Sequence, residues 1–448
     1  MIKVAKFGGS SLADASCIKR VIDIVQSDPA RRFIVVSAPG ERWPSDSRVT
    51  NLLYDVQKGG DAGASAFEML ADRFSEIVRE LGLPRSLISE HLANLSQSAT
   101  RRSPDYVASR GEFMTAKIIA AALGYKFLDS ELIIRFNDRG QYDEAATAKR
   151  MRAWMHGIDR AVIPGFYGTL PDWSIKTFPR GGSDITGAIV ARAVKADLYE
   201  NWTDVSGVLM ADPEIVPNPQ MIPELTFSEI RELAYMGARI FHHEAVLPVQ
   251  KAGIPTNVRN TNDLGHPGTM ILAAAASKRT PGSIVGIAGR KGFAVMTVTK
   301  AGMNAEIGFV RRLCSVFEDE QVSIEHIPGG IDTVSVITTW RELGEKLECI
   351  RARIKHDCEP DSINVRPDLA MICTVGEAMA ETPGVAAKLL QAVADAKINV
   401  RMINQGSSEI SIIIGVDNDD ADNAVRAIYR AFIDTAESTE GSQSIPTK

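Results

Sequence analysis

A lysine carried into a double-glycine turn with two hydroxyls, Lys6-Phe7-Gly8-Gly9-Ser10-Ser11, is the stretch of this sequence that points most directly to chemistry. Glycines let backbone N–H groups approach phosphate oxygens, and a helix starting just beyond the turn favours negative charge. The lysine can neutralise charge on a transferring phosphoryl group. The stretch is not a Walker loop, since no GxxxxGKS or GxxxxGKT occurs, and an ordinary strand-to-helix turn would look much the same. A second cluster, Phe178-Pro179-Arg180-Gly181-Gly182-Ser183-Asp184, brings Arg, two glycines, Ser and Asp into one tight turn. Arg180 offers a planar fork for a carboxylate, and Asp184 can orient a lysine or a metal. Trp202-Thr203-Asp204-Val205-Ser206-Gly207, with Ala211-Asp212-Pro213 after it, directly follows a strand. Parallel sheets receive nucleotides at such places. Ser109-Arg110-Gly111-Glu112 opens a helical run, so on the local motif alone Glu112 reads as a capping carboxylate that complements the helix dipole. His242-His243-Glu244 lacks the HExxH spacing of a zinc protease and reads as part of a helix face.

These motifs need elements to hold them. Ile2 to Phe7 is a β-rich run, Ala15 to Val25 has helical spacing of apolar residues, and Arg32 to Val36 is a second β-branched run ending in Ser37-Ala38-Pro39-Gly40. Strand, glycine turn, helix, strand is the signature of a βαβ unit with a parallel sheet. Residues 60 to 125 read as amphipathic helices, and further strands are expected at Ala161 to Phe166, Leu198 to Trp202 and Thr256 to Val258. A boundary falls in the stretch 276–284, after which the pattern repeats. The first copy runs strand Phe293 to Thr299, turn Ala301 to Gly308, helix Phe309 to Glu320, strands Val322 to His326 and Thr333 to Thr338, and helix Arg341 to Lys355. The second runs strand Leu369 to Val375, helix Val385 to Ala396, strands Asn399 to Asn404 and Glu409 to Val416, and helix Ala421 to Phe432. Two βαββα units of about sixty residues are an internal repeat with a ferredoxin-like layout. The second lacks a closing strand, which Ser283 to Ala288 can supply, making the first repeat an insertion within the second.

The chain has 448 residues, 45% of them hydrophobic and 24% charged, as in a folded protein of several domains. Its net charge of −6, without a basic block, argues against nucleic acid as a partner. No apolar run is long enough for a bilayer, the longest being Ile271 to Ala276, and the N-terminal apolar stretch is too short for a signal peptide. Five scattered cysteines without CxxC spacing fit free thiols, so a cytoplasmic location is expected.

Taken jointly and in order, the motifs resemble the aspartokinase family across nearly the whole chain. The resemblance rests on KFGGSS, VVSAPG with VTNLL (Val49 to Leu53), SRGE, GFYG (Gly165 to Gly168), PRGGSD, WTDVSGV, ADP, YMGARIFHHEAVLPV and KAGIPTNVRNT. The C-terminal copies resemble the paired ACT domains of monofunctional aspartokinases. The resemblance implies an α/β architecture: an amino-acid-kinase fold over 1–276, a mostly parallel eight-stranded sheet between helices. Two ferredoxin-like βαββαβ ACT domains are implied at 283–365 and 366–435, with 283–288 available to the second, and a polar tail at 436–448. It implies transfer of the γ-phosphoryl of MgATP to the β-carboxylate of L-aspartate, giving 4-phospho-L-aspartate for lysine, threonine and methionine synthesis. By the same resemblance, Lys6, Gly8, Gly9, Ser10 and Ser11 hold the ATP phosphates. Ser37, Thr50, Glu112, Arg180 and Ser183 hold aspartate, with Arg180 on the α-carboxylate and Glu112 on the α-amino group. Asp184 orients Lys6 or the metal; Thr203 and Asp204 contact the nucleotide; Leu209, Asp212 and Glu214 line its pocket; Arg239 and Ile240 stand at the adenine side. No metal ligand is directly assigned.

The sequence departs from the common family pattern in places. Ser10 replaces a threonine, Leu209 a tyrosine, Glu214 an arginine and Arg239 a lysine, and the loop Glu41 to Arg48 is longer. A carboxylate nucleophile needs no general base, which agrees with the lack of His and Cys in the key loops. In the first repeat, the loop Met303 to Phe309 and the stretch Val322 to Thr333 are expected to bind an amino-acid effector, lysine and/or threonine. Glu306, Glu325 or Asp332 would pair with its ammonium. The second repeat is expected to build a homodimer interface, with a dimer of dimers open. Three alternatives compete: a kinase of the same fold acting on glutamate, N-acetylglutamate or UMP; an inactive amino-acid sensor; and a fusion with homoserine dehydrogenase, for which the chain has no dinucleotide domain.

Overall fold

The computed structural model describes residues 1–179, 181–238 and 245–434. Arg180, Arg239, Ile240, His242-His243-Glu244 and the tail at 436–448 lie outside the described residues. The chain divides into two compact units: Met1–Val208 with Met221–Arg231 and Ile240–Ser277, and Leu209–Gln220 with Glu232–Arg239 and Lys278–Lys448.

In the first unit the strands are β1 (Lys3–Phe7), β2 (Arg31–Val36), β3 (Lys126–Phe127), β4 (Ala161–Pro164), β5 (Tyr167–Thr169), β6 (Ile175–Thr177), β7 (Leu198–Thr203), β8 (Glu224–Thr226), β9 (Thr256–Asn260) and β10 (Thr269–Leu272). Eight of them form one sheet in the order β8-β10-β9-β7-β1-β2-β4-β3. Every pairing is parallel except β9 with β10. Central strands such as β1 and β2 are buried along almost their whole length, as a sheet covered on both faces requires. Helices α1 (Ala15–Gln26), α2 (Val49–Lys58), α3 (Gly60–Glu80), α4 (Pro104–Leu123) and α5 (Gly182–Ala193) carry or brace the loops at the strand ends. Their starts are written locally. Asp14 accepts from the Cys17 amide to cap α1, and Ser103 caps α4 with Pro104 in its first turn. The α1–α4 side of the sheet buries one continuous core that includes Phe7, Ile18, Leu53, Phe74, Met114, Ile118 and Trp202. The expected strand Ala161 to Phe166 stops at Pro164, and the chain turns at Gly165 and Phe166 into a separate β5–β6 hairpin.

The second unit contains β11 (Gly286–Thr299), β12 (Thr333–Thr339), β13 (Ser362–Val375), β14 (Met402–Gln405) and β15 (Ser411–Asp417), in the order β12-β11-β13-β15-β14. Its helices are α6 (Phe309–Asp319), α7 (Leu347–Cys358), α8 (Val385–Asp395) and α9 (Ala421–Tyr429). Phe309, Leu313, Val316 and Phe317 place the apolar stripe of α6 on Met296, Val298, Val334 and Val336. The first part of β11, Gly286 to Arg290, pairs antiparallel with Met371–Val375, while its last part pairs with Ser362–Arg366. One strand therefore serves both repeats, with irregular register between Arg290 and Val295. The expected strand Val322 to His326 is not regular: only single bridges, His326 with Ile337 and Gly329 with Val334, tie that segment to β12.

Candidate active site

β1 has β2 on one side and β7 on the other, so the chain crosses away from it in both directions, and the crevice beyond the carboxyl ends of these strands is a natural ligand site. The Gly8-Gly9 turn leaves β1 there. The Gly8 amide bonds the Trp202 carbonyl at the end of β7, at 3.0 Å. Gly9 meets the loop after β2: its carbonyl accepts from the Gly40 amide at 2.7 Å, and a Cβ on Gly40 would lie 2.6 Å from the Gly9 carbonyl carbon. A side chain on Gly40 would force the two loops apart.

Lys6 points into this junction from β1 and is nearly buried. Its ammonium stands 2.5 Å from Asp184, in the first turn of α5. Asn201 is the direct partner of Lys6 in the β1–β7 register; its Oδ1 lies 3.4 Å from the Lys6 Nζ, and its Nδ2 donates to Asp184 at 3.2 Å. Lysine, aspartate and asparagine thus come from two adjacent strands and one helix N-terminus. Ser183 precedes Asp184 and is buried where a Cβ on Gly165 would lie 2.6 Å from the Ser183 Cβ. Gly165 is what allows α5 to start this close to the end of β4. Ser11 shares a 3.0 Å hydroxyl contact with Thr261, which also donates to the Thr203 carbonyl, so the phosphate turn is tied to the end of β7. Ser10 is exposed beside Ser11. Thr203 donates to Asp204 at 3.0 Å on the exposed side of that strand end.

Ser37 comes directly after β2, its amide bonding the Phe7 carbonyl at 3.2 Å. Thr50 lies in the first turn of α2, which begins where the Val49 amide reaches Pro39 O. Glu112 does not open its helix as the sequence suggested. α4 starts at Pro104, with Asp105 as its first-turn carboxylate, and Glu112 lies further along and is 4% exposed. The capping role therefore falls away. A Cβ on Gly111 would come within 2.7 Å of the Ala38 Cβ, so α4 presses the Glu112 side of the helix directly beneath the loop after β2. Burial pushes the Glu112 carboxyl up to about 8; the Ala38 amide, its own amide and the Arg110 charge oppose the rise without cancelling it. Its Oε2 is buried with no hydrogen-bond partner. A carboxylate in that condition is destabilised until a cation arrives.

Of the remaining expected site residues, Leu209, Asp212 and Glu214 belong to the second unit, where Asp212 accepts from the Glu214 amide at 2.9 Å. Arg180, Arg239 and Ile240 fall outside the described residues. Among the described residues no group of three His, Cys, Asp or Glu side chains is arranged to hold a metal ion. Sequence reasoning missed Asn201, Thr261 and Arg73. A polar residue between Glu200 and Trp202 in a buried strand, and a charge on the apolar stripe Ala66-Leu70-Phe74-Ile77 of α3, were the signals available.

The amino acid kinase family profile matches residues 1–260, and an ACT domain profile matches residues 372–432. Aspartokinase 3 of Bacillus subtilis (strain 168) is 39% identical over 96% of this chain and 98% of its own length. The chain belongs to the aspartokinase family. It is an aspartate kinase. The crystal structure of Clostridium acetobutylicum aspartate kinase superimposes with a TM-score of 0.83 at 43% identity, covering 96% of this chain and 99% of that one. Aspartokinase III of E. coli, in complex with aspartate and ADP (R-state), gives 0.80 at 25% identity over the same shares. In this aspartokinase the Lys6–Asp184–Asn201 group lies at the end of β1, and Glu112 lies beneath the loop after β2.

The first ACT repeat holds each of its expected effector residues in a distinct setting. Met303 is buried in a short turn, and Phe309 begins α6. Glu306 is engaged by Lys300 at 2.8 Å and by Arg312, and these cations hold its carboxyl below the ordinary range. Asp332 accepts from the Gly302 amide at 2.8 Å. Glu325 accepts from the Tyr235 hydroxyl, with Arg290 3.9 Å away.

Proposed function

We propose that this aspartokinase places MgATP on the Gly8–Ser11 turn and L-aspartate against Glu112, and that Lys6 spans the reaction between them. The buried Glu112 carboxyl, whose Oε2 has no hydrogen-bond partner, carries the reading: it is a site waiting for an ammonium. The α-amino group of aspartate supplies it, Ser37, Thr50 and Ser183 contribute hydroxyls, and Arg180 takes the α-carboxylate. A β-carboxylate oxygen then attacks the γ-phosphorus. The bond from that phosphorus to the bridging oxygen breaks, and ADP leaves with the electron pair. The nucleophile is already ionised, so no proton moves and positioning with charge neutralisation does the work. Lys6, held by Asp184 and Asn201, tracks the charge on the transferring group. Mg2+ bound with ATP would supply further charge neutralisation, and Asp184 would be the carboxylate available to hold it. Thr203 and Asp204 border the nucleotide. We assign the kinase domain to 1–276 and the ACT domains to 283–365 and 366–435, with 286–290 lent to the second.

Lysine is the favoured effector, with Glu325 as partner for an ammonium, because Glu306 is engaged by two close cations while Glu325 has, among the described residues, only the Arg290 cation, at 3.9 Å. Ile307, Val310 and Ile331 are exposed beside the same loops and support a homodimer through the ACT domains. Free cysteines agree with a cytoplasmic location. Isothermal titration of aspartate into the wild type and Glu112→Gln tests the core of this reading. Binding that releases a proton and disappears in the variant supports it; equal binding by both sinks it.

A further inference from the structure

Among the described residues, Arg73 is the one guanidinium that reaches both substrate loops. It projects from the apolar stripe of α3 and is 2% exposed. Its Nε and Nη2 donate to the Ala13 carbonyl, at 3.2 and 2.8 Å, just past the phosphate turn. Nη2 also donates to the Gly40 carbonyl, in the loop that meets Gly9. Nη1 donates to the Ser47 carbonyl at 2.9 Å, two residues before α2 begins at Val49, and lies 3.4 Å from Asp46. Four hydrogen bonds to three carbonyls and one ion pair thus engage all three nitrogens of the fork. Asp46 is itself buried and is gripped by the Arg42 amide and guanidinium at 2.8 to 3.0 Å. The Glu41–Arg48 loop carries the counter-charge that lets an arginine sit in the core.

We propose that Arg73 is a positioning residue for phosphoryl transfer, fixing the distance between the phosphate turn and the loop that leads to Ser37 and Thr50. This role rests on the proposed placement of ATP at the Gly8–Ser11 turn and aspartate at Glu112. A planar fork can bind three carbonyls in fixed directions, which an ammonium cannot. The substrates contact neighbouring loops, so a small change in loop spacing leaves each binding surface whole and spoils the line of attack.

Arg73→Lys separates this role from a structural one. The expected result is a thermal midpoint within a few degrees of wild type, KM values for ATP and aspartate changed less than about threefold, and kcat lowered about a hundredfold. A purely structural role would lower the amount of folded protein and leave kcat per folded molecule unchanged, which would overturn the proposal. So would a loss confined to the KM of one substrate. Should Arg73→Lys not fold, Gly40→Ala decides, because its Cβ would meet Gly9 and Ser10 and open the same junction with the guanidinium still present. It must show the same fall in kcat at nearly constant KM. If the wild type itself lacks aspartate-dependent turnover, the substrate placement fails; if the wild type turns over and the variants match it, only the role of Arg73 fails.

Discussion

At the scale of single residues, Glu112 gives the sharpest expectation. Its folded pKa, about 8, lies above the ordinary glutamate value, so the free enzyme holds this proton at neutral pH. Pairing with a substrate ammonium requires the ionised form. The logarithm of kcat/KM for aspartate should thus rise with a slope near one as pH climbs from about 6 toward 8 and then level off, and this slope should vanish in Glu112→Gln. The same shift acts on stability. Protonated Glu112 helps the fold fully below the unfolded pKa, and that help is lost as pH rises through about 8. Glu112→Gln should therefore melt higher than wild type above that pH while failing to bind aspartate, which a denaturation series with and without aspartate would show. Removing the Lys6 charge as Lys6→Met should lower kcat by about a hundred- to a thousandfold, read in single-turnover assays. Lys6 and Asp184 were legible because each stands in a dense local motif. Asn201 was not: its meeting with Lys6 is set by strand register across 195 residues, and no local spacing encodes that.

At the scale of elements, the parallel βαβ reading of the first forty residues and the placing of loops at strand ends came from alternation and glycine punctuation, and both match the sheet. Shorter pieces did not announce themselves. The β5–β6 hairpin has strands of three residues, too short for a periodicity, and its Phe166 turn adopts a positive φ without a glycine. Val322 to His326 carries strand-like residues yet meets β12 only through single bridges. Glu112 looked like a helix start because the Pro104 start lay further upstream than the motif. Gly165→Ala tests how element packing sets the site. Its Cβ would fall 2.6 Å from the Ser183 Cβ and 2.8 Å from the Ser183 Cα, so the first turn of α5 must move. A loss of about 1–3 kcal/mol in chemical denaturation is expected. A raised KM for aspartate should accompany it, since Ser183 and Asp184 move together.

At the scale of the whole molecule, the repeat in the last third was legible, although the expected strand Val322 to His326 of the first copy is reduced to single bridges; legible too was the missing closing strand, which β11 provides for the second copy in one continuous run with the first. What an effector does depends on its preferring one state of the enzyme over another. Millimolar lysine should lower turnover, and Glu325→Ala should remove that response while leaving uninhibited kcat within about twofold, as measured by dose–response curves. The aspartate kinase assignment reaches its most direct test in ADP release from MgATP by the full chain, with and without L-aspartate. The account predicts release that depends on aspartate and yields an acid-labile acyl phosphate in equal amount, both abolished in Lys6→Met. ADP release indifferent to aspartate, or faster with another acidic substrate, would contradict it.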